Sequence, residues 1–367
     1  MKIAHLTSVH PRRDTRIFWK QCKSLAAHGH DVSLVVADGL GPEVHGDIRI
    51  HDVGASSGRV SRVLGSARQV IRRASELDCD VYHLHDPELL PFSLGLRRRG
   101  KVVYDAHEDL PDQILDKPYI NSSLRKPLAA ATRVTLELLC RRMNGVIAAT
   151  PHIAGKLKNA GIEAVDVNNF PIIEEFRGPD GDAAQKAAIS YVGSISRTRG
   201  AIEIVRAFEL TGSAAVLNIA GHFPDDIRLE AAGLPGWERV NLLGFLDRCE
   251  IESLLARSLA GLVTLHPTPS YQRSLPVKMF EYMAAGIPVI ASNFPLWREI
   301  MDANDCGICV DPLSPDQIAG AIDRLAGAPD EARRLGANGR KAVEELYNWK
   351  REEKKLLGLY ETLNGCA

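Results

Sequence analysis

Short apolar runs alternate along this chain with longer stretches in which apolar residues recur every three to four positions. In the first half the runs are 3–9, 32–37, 48–53, 81–84, 102–104 and 146–149, rich in Val, Ile and Leu. Each has the length and continuity of a strand covered on both faces. The spacing predicts helices between them, clearest at 16–28, 60–77 and 128–143. Residues 171–188 are polar, with Pro, Gly and acidic side chains, and break the alternation. A second series follows at 189–192, 215–220, 240–243, 260–265, 288–291 and 308–310, and a charged amphipathic helix is expected over 342–363.

Strand-helix-strand repetition of this kind predicts two doubly wound parallel α/β sheets. The expected organisation is a first Rossmann-like domain over 1–172, a linker at 173–188, a second Rossmann-like domain over 189–341 and a last helix at 342–367. A chain of 367 residues is too long for one ordinary core, which agrees with two domains. Ligands of such sheets sit beyond the carboxyl ends of the strands, so two facing sheets would place a site in the cleft between them.

Apolar residues make up 45% and charged residues 25%, an ordinary soluble balance, and a net charge of −1 argues against a general nucleic-acid binder. The N-terminal apolar run is strand-length and reads as a first strand, not a signal peptide. No run approaches the length of a membrane span. Seven scattered cysteines suit a reducing compartment, and a cytoplasmic location is expected.

Neither half begins with G-x-G-x-x-G, and no G-x-x-x-x-G-K-[ST] occurs, which weighs against dinucleotide and P-loop chemistry. The most informative segment is 274–292, Ser-Leu-Pro-Val-Lys-Met-Phe-Glu-Tyr-Met-Ala-Ala-Gly-Ile-Pro-Val-Ile-Ala-Ser. It reads as a loop, a helix ended by Gly286 and Pro288, and a buried strand. Lys278 and Glu281 share one helix face. A cation near a helix N-terminus opposes the helix dipole, and an anionic ligand held by the free N–H groups would resolve that conflict. The bland alternative is a solvated ion pair.

Other candidates have plain readings beside them. His83 and His85 point the same way on a strand and with Asp86 could ligate a metal, or they simply form a polar strand end. Cys306-Gly-Ile-Cys309 has redox spacing but lies at a strand entry without a second pair. Asp14 and Arg16 follow the first strand, where Asp14 could equally cap a helix. Arg59, Arg62, Arg68, Arg72 and Arg73 mark 60–77 as a solvated basic helix or a docking face for anionic lipid, which the run Arg97–Arg99 could extend.

Taken in order, several segments resemble a family-4 glycosyltransferase of the GT-B fold over essentially the whole chain. They are Ser8–Arg16 with the following Ile-Phe-Trp-Lys, Tyr104-Asp-Ala-His-Glu-Asp109, Tyr191-Val-Gly-Ser-Ile-Ser-Arg-Thr-Arg-Gly200, Asn218-Ile-Ala-Gly-His222 and 274–292. The resemblance implies a retaining transfer of a hexose from a nucleotide-diphosphate sugar to a glycan or lipid-linked acceptor, in cell-surface polysaccharide synthesis. It implies no cofactor and no metal, and a C-terminal helix that returns to the first domain. Peripheral contact with an anionic membrane is compatible with it.

The resemblance also assigns residues. His107, Arg199 and Lys278 are the expected catalytic set, with Arg199 in the place of a phosphate-clamping Lys. Gly193, Ser194, Gly221, Leu246, Ser274, Leu275 and Glu281 join them as donor-binding positions, and His10, Asp14, Arg16 and His85 stand on the acceptor or phosphate side. Glu281 matches the second Glu of the family motif. Arg273 stands where the first is expected, and Ser194 where an Arg is, so the chain is similar to a subgroup with Ser-Leu-Pro-x-Lys here. The alternatives are a GT-B sugar-nucleotide epimerase or phosphorylase, or a catalytically silent sugar-nucleotide binder.

Overall fold

The computed structural model describes residues 1–55, 58, 65–117, 119–178 and 187–365. The chain divides into two compact units, Met1–Asn169 with Trp349–Ala367, and Phe170–Asn348.

In the first unit the strands are β1 (Lys2–Leu6), β2 (Asp31–Val36), β3 (Glu43–His45), β4 (Ile48–Asp52), β5 (Val81–Leu84), β6 (Lys101–Ala106), β7 (Gly145–Ala148) and β8 (Val165–Asp166). They lie in the order β3-β4-β2-β1-β5-β6-β7-β8, parallel except where β3 pairs antiparallel with β4. The chain winds outward from β1 in one direction and from β5 in the other. Their adjacent carboxyl ends are therefore the switch point at which such sheets bind ligands. Strand β5, Val-Tyr-His-Leu, is buried at every position, as a central parallel strand requires.

The second unit holds β9 (Ala188–Val192), β10 (Val216–Ala220), β11 (Val240–Gly244), β12 (Ala260–Val263), β13 (Val289–Ser292) and β14 (Gly307–Val310). The order is β11-β10-β9-β12-β13-β14, all parallel, and the switch point falls between β9 and β12.

The expected strands fall within a residue or two of the observed ones, except that the first, expected to reach 9, ends at Leu6, and β3 and β8 are additions. The helix expected at 128–143 spans Ser122–Cys140, begun by Asn121, whose side chain accepts from the Ser123 N–H at 3.1 Å. Of the basic helix expected at 60–77, Ala67–Leu77 is observed; Arg59 and Arg62 lie outside the described residues. Half of the expected linker, 179–186, lies outside them too. The single helix expected at 342–363 is two, Pro329–Glu345 and Trp349–Gly365. Asn348 separates them: its amide donates to the carbonyls of Val343 at 2.9 Å and Glu344 at 3.0 Å, closing the first helix with a side chain.

The helix Trp349–Gly365 completes the first unit. Trp349 Nε1 donates to Ser24 Oγ at 2.9 Å, and Glu352 accepts from the Asn168 N–H at 2.7 Å. In the second unit, the helix Val277–Ala284 is pressed against β12. The Tyr282 ring lies over Gly261, where a β-carbon would come within 2.2 Å of it, and the Tyr282 hydroxyl accepts from the Val192 N–H at 2.9 Å. Gly261→Ala should displace that ring and lower stability by about 1–3 kcal/mol, read as a fall in Tm with donor-site residues untouched. An unshifted Tm would show that the ring is not so confined.

Candidate functional site

At the first switch point a buried carboxylate organises everything around it. Asp105, at the end of β6, is fully buried. It accepts from Arg16 Nε at 2.9 Å and Nη2 at 2.7 Å, and from Gln21 Nε2 at 2.7 Å. Burial pushes its pKa up, but the Arg16 guanidinium, with His107 and His85, holds it well below the usual carboxylate range. Arg16 also donates to the Val167 carbonyl at 2.7 Å. It is buried and committed to this pair, so it supports the site from beneath rather than offering a free cation to a phosphate.

An imidazole chain runs from this centre. Register sets His5 of β1 beside His83 of β5. His5 Nδ1 and His85 Nε2 are 2.9 Å apart in rings only 13° from parallel with centroids 5.2 Å apart. That separation is an edge-to-edge hydrogen bond in one plane rather than a stack. His85 Nδ1 lies 3.0 Å from His107 Nε2, which is 3.3 Å from Asp105. His83 Nδ1 is bonded to the Tyr360 hydroxyl at 2.8 Å. Burial drives His5, His83 and His85 well below the ordinary histidine pKa, so all three are neutral.

The loop after β1 is tied to the loop after β5 through Asp86, which accepts from Thr7 Oγ1 at 2.8 Å and the Ser8 N–H at 2.6 Å. His10 lies 3.3 Å from Asp86 and 3.6 Å from Asp14. Burial alone would lower the His10 pKa, but the hydrogen bond to Asp14 and the charges of Asp86 and Glu108 raise it. Asp14 caps the helix Thr15–Cys22, accepting from the N–H groups of Arg16 at 2.8 Å and Ile17 at 2.9 Å. His10, Asp14, His85 and His107 thus form one group.

The nitrogens and oxygens of His5, His83 and His85, and of His85, Asp105 and His107, lie close enough together for a metal. Hydrogen bonds engage both ring nitrogens of His85 and the Nε2 of His107, while His5 Nε2 and His83 Nε2 are buried with no hydrogen-bond partner among the described residues. The metal set considered from sequence, His83, His85 and Asp86, is not assembled, because Asp86 is turned to Thr7, Ser8 and His10. A separate cavity of about 430 Å³ lies among the helices Leu110–Asp116, Ser122–Cys140 and Pro151–Asn159. At its edge Lys156 bridges Asp109 and Asp112.

In the second unit the loop after β9 carries Gly193 and Ser194. Gly221, after β10, has φ 141°, and a β-carbon there would stand 2.4 Å from the Gly193 carbonyl oxygen. Gly200 has φ 78°, and a β-carbon on it would meet the Thr264 carbonyl at 2.4 Å. These glycines keep the loop close to its neighbours and leave backbone at the surface of the site. Lys278 reaches into this hollow. Its Nζ is 3.6 Å from the centroid of the Tyr191 ring and 3.7 Å from where a β-carbon on Gly193 would lie.

The residue is only half-buried, yet the ammonium itself is sealed and has no hydrogen-bond partner among the described residues. Burial, then repulsion from Arg199, holds its pKa well below that of a free lysine, with Glu281 opposing. A buried cation in contact with a ring face and no acceptor is an arrangement that an anion would complete.

Arg199 donates to the Ser194 carbonyl at 2.7 Å, whereas Arg197 is turned away into a two-point pair with Glu230 at 3.1 and 2.5 Å. Ser194 and Arg273 are exposed. Ser274 is fixed, its hydroxyl donating to the Tyr271 carbonyl at 2.9 Å and its own carbonyl accepting from Trp297 Nε1 at 2.7 Å. Leu246 and Leu275 pack on the adjoining core. The first turn of the helix Val277–Ala284 has no side-chain cap. Cys306 and Cys309 are free thiols with pKa values pushed up by burial to about 12 and about 11, unlike a reactive redox pair.

His5, Gln21, Tyr191 and Tyr360 had not been singled out from sequence. The available signal was a polar residue inside an apolar strand run, as at His5.

The family described as Glycosyltransferase Family 4 matches residues 15–168, and that described as Glycosyl transferases group 1 matches 173–342. Together with the two sheets these matches place the chain among the glycosyltransferases of the GT-B fold. It is similar to the sucrose-phosphate synthase of Thermosynechococcus elongatus, with a TM-score of 0.82 at 18% identity over 100% of each chain. It is also similar to HepE of Anabaena in complex with UDP-glucose, with a TM-score of 0.74 at 15% identity over 99% of this chain and 100% of that one. Among curated relatives, the MMP alpha-(1->4)-mannosyltransferase of Mycolicibacterium hassiacum is 29% identical over 113 residues, 30% of this chain and 26% of that one. The chain spans less than half the length of the first curated relatives it matches.

Three buried neutral imidazoles make stability pH-dependent. Below about pH 6.5 the unfolded chain protonates them and the folded one does not, so stability falls as the pH drops. The raised His10 works in the opposite direction, adding stability in acid that is lost as the pH rises through its folded value. Denaturation at pH 7.5 and 5.5 should show a marked net loss in acid, its slope approaching three protons at the acid limit, where His10 is protonated in both states. A flat profile would contradict the neutral cluster.

Proposed function

We propose that the protein is a retaining glycosyltransferase that moves a hexose from a nucleotide-diphosphate sugar to a glycan or lipid-linked acceptor in cell-surface polysaccharide synthesis. The observation that carries this reading is the sealed, partnerless Lys278 ammonium above Tyr191, beside Arg199 and the close-packed Gly193 and Gly221. A diphosphate brings two or more negative charges and several acceptor oxygens to such a hollow. As the glycosidic bond breaks, the leaving diphosphate gains charge, and Lys278, Arg199 and the uncapped N–H groups of the helix Val277–Ala284 stabilise it. Glu281, one turn along the same face, then lies toward the ribose. The likeness to HepE, whose solved complex holds UDP-glucose, supports a sugar nucleotide as donor.

No metal or other cofactor takes part in this reading, since two cations and backbone donors meet the leaving-group charge. Activity should accordingly persist in excess chelator, and complete loss restored by a divalent ion would overturn that part. Because Ser194 is neutral and Arg197 is engaged by Glu230, a silent sugar-nucleotide binder is the second reading. Release of nucleotide diphosphate only when acceptor is present separates transfer from binding alone.

A screen of UDP- and GDP-sugars by thermal shift should identify a donor that raises Tm. Lys278→Met should abolish that shift and lower turnover roughly a hundredfold, while leaving the ligand-free Tm unchanged or raised, since a buried amine with no hydrogen-bond partner among the described residues is removed. Glu281→Ala should weaken nucleotide binding, and Arg199→Ala should act mainly on turnover. Donor binding should also take up a proton at Lys278 and weaken as pH rises, which titration calorimetry in buffers of different ionisation enthalpy would detect. Unaltered donor binding in Lys278→Met would remove the assignment.

A further inference from the structure

The helix Ser122–Cys140 has its apolar side facing outward. Of its residues only Ala129 and Cys140 are fully buried. Leu124, Leu128, Val134 and Leu138 are 59%, 45%, 56% and 54% exposed. At 100° per residue these four, with Pro127 and Ala131, fall within one band about a third of the helix circumference wide. A band of that width is what a surface helix ordinarily turns to its core, and here about half the surface of its four large apolar residues is left to solvent. Just before the helix, Tyr119 is 62% exposed.

Charge identifies the occupant. Between 117 and 142 six cations, Lys117, Arg125, Lys126, Arg133, Arg141 and Arg142, are set against Glu137 alone, in a chain whose net charge is −1. Arg133 lines the cavity behind the helix, and Arg125 and Arg141 donate to the carbonyls of Ile120 and Ala160, so the identifying charges are Lys117, Lys126 and Arg142. Two copies packed band to band about a twofold axis would bring like charges together. An anionic bilayer surface would accept both features: apolar side chains enter the boundary while Lys and Arg extend to the headgroups. No described helix is long and apolar enough to cross a membrane, so this one would lie in the interface plane. By contrast Ala67–Leu77, the basic helix expected to offer such a face, buries Ala67, Val70 and Ala74 and pairs Arg72 and Arg73 with Glu76. Its described part is an ordinary solvated helix.

We propose that the helix Ser122–Cys140 docks the protein on bilayers containing anionic lipid. The proposal deepens the lipid-linked option for the acceptor without depending on transferase activity, because its readout is binding alone. The full chain should sediment with vesicles of phosphatidylcholine and phosphatidylglycerol, and much less with phosphatidylcholine alone. High salt should release it. Leu128→Glu/Val134→Glu and, separately, Lys126→Glu/Arg142→Glu should each reduce the bound fraction roughly tenfold. The Tm of each variant should stay unchanged, since the side chains are exposed, and donor-induced thermal shifts should persist. Wild-type protein left in the supernatant, equal binding to both vesicles, or undiminished binding by Leu128→Glu/Val134→Glu would overturn the proposal. So would a concentration-dependent dimer abolished by that variant in protein that ignores vesicles, which would assign the face to a second copy.

Discussion

A carboxylate sealed from water at the end of a parallel strand is tolerable only if something neutralises it on the spot. In the first unit Arg16 does so for Asp105, and the pair fixes far more than two side chains. It anchors the helix begun by Asp14 to β6, draws in the Val167 backbone, and sets the orientation of His85 and His107. Breaking such a pair strands a buried charge and ordinarily costs about 3–5 kcal/mol. Burial explains why the imidazoles around it are neutral, and neutrality allows three of them to share a small volume without repulsion. The electrostatics of this switch point therefore descend from one ion pair.

The second unit solves the opposite problem. Its central cation is sealed without a carboxylate against it, only a tyrosine ring and an arginine that repels it. The two units thus contrast a buried charge held by paired donors with a buried amine that has no hydrogen-bond partner among the described residues. Asp105 is satisfied by three donor side chains and its environment is complete; Lys278 is left wanting. Glycines at 200 and 221 let these loops lie against the neighbouring strand ends, because a β-carbon at either would collide with the backbone there.

Much of this was legible in the order of residues. Strand positions followed from apolar continuity, and the segment 274–292 announced an anion site because Lys278 stands at a helix start against the dipole. What escaped was set by contacts far apart in sequence or by a single polar cap. Arg16 read as a residue of the acceptor or phosphate side because its partner Asp105 lies 89 residues away. Strand β3 has too few apolar residues to register, and the break at Asn348 depends on one amide reaching back to two carbonyls. Pro127 obscured the true start of the helix at Ser122, which Asn121 sets.

The helix Trp349–Gly365 belongs to the unit whose strands begin at Lys2, yet it is translated after the whole of the other unit. Tyr360 bonds His83, and Trp349 bonds Ser24, so partners made early wait for residues made near the end. During synthesis the second unit can close on its own consecutive chain, while the first holds an unfilled flank with a polar imidazole behind it. The order of manufacture is thus the reverse of the order of completion, and the N-terminal unit is the one that a truncated message leaves unfinished.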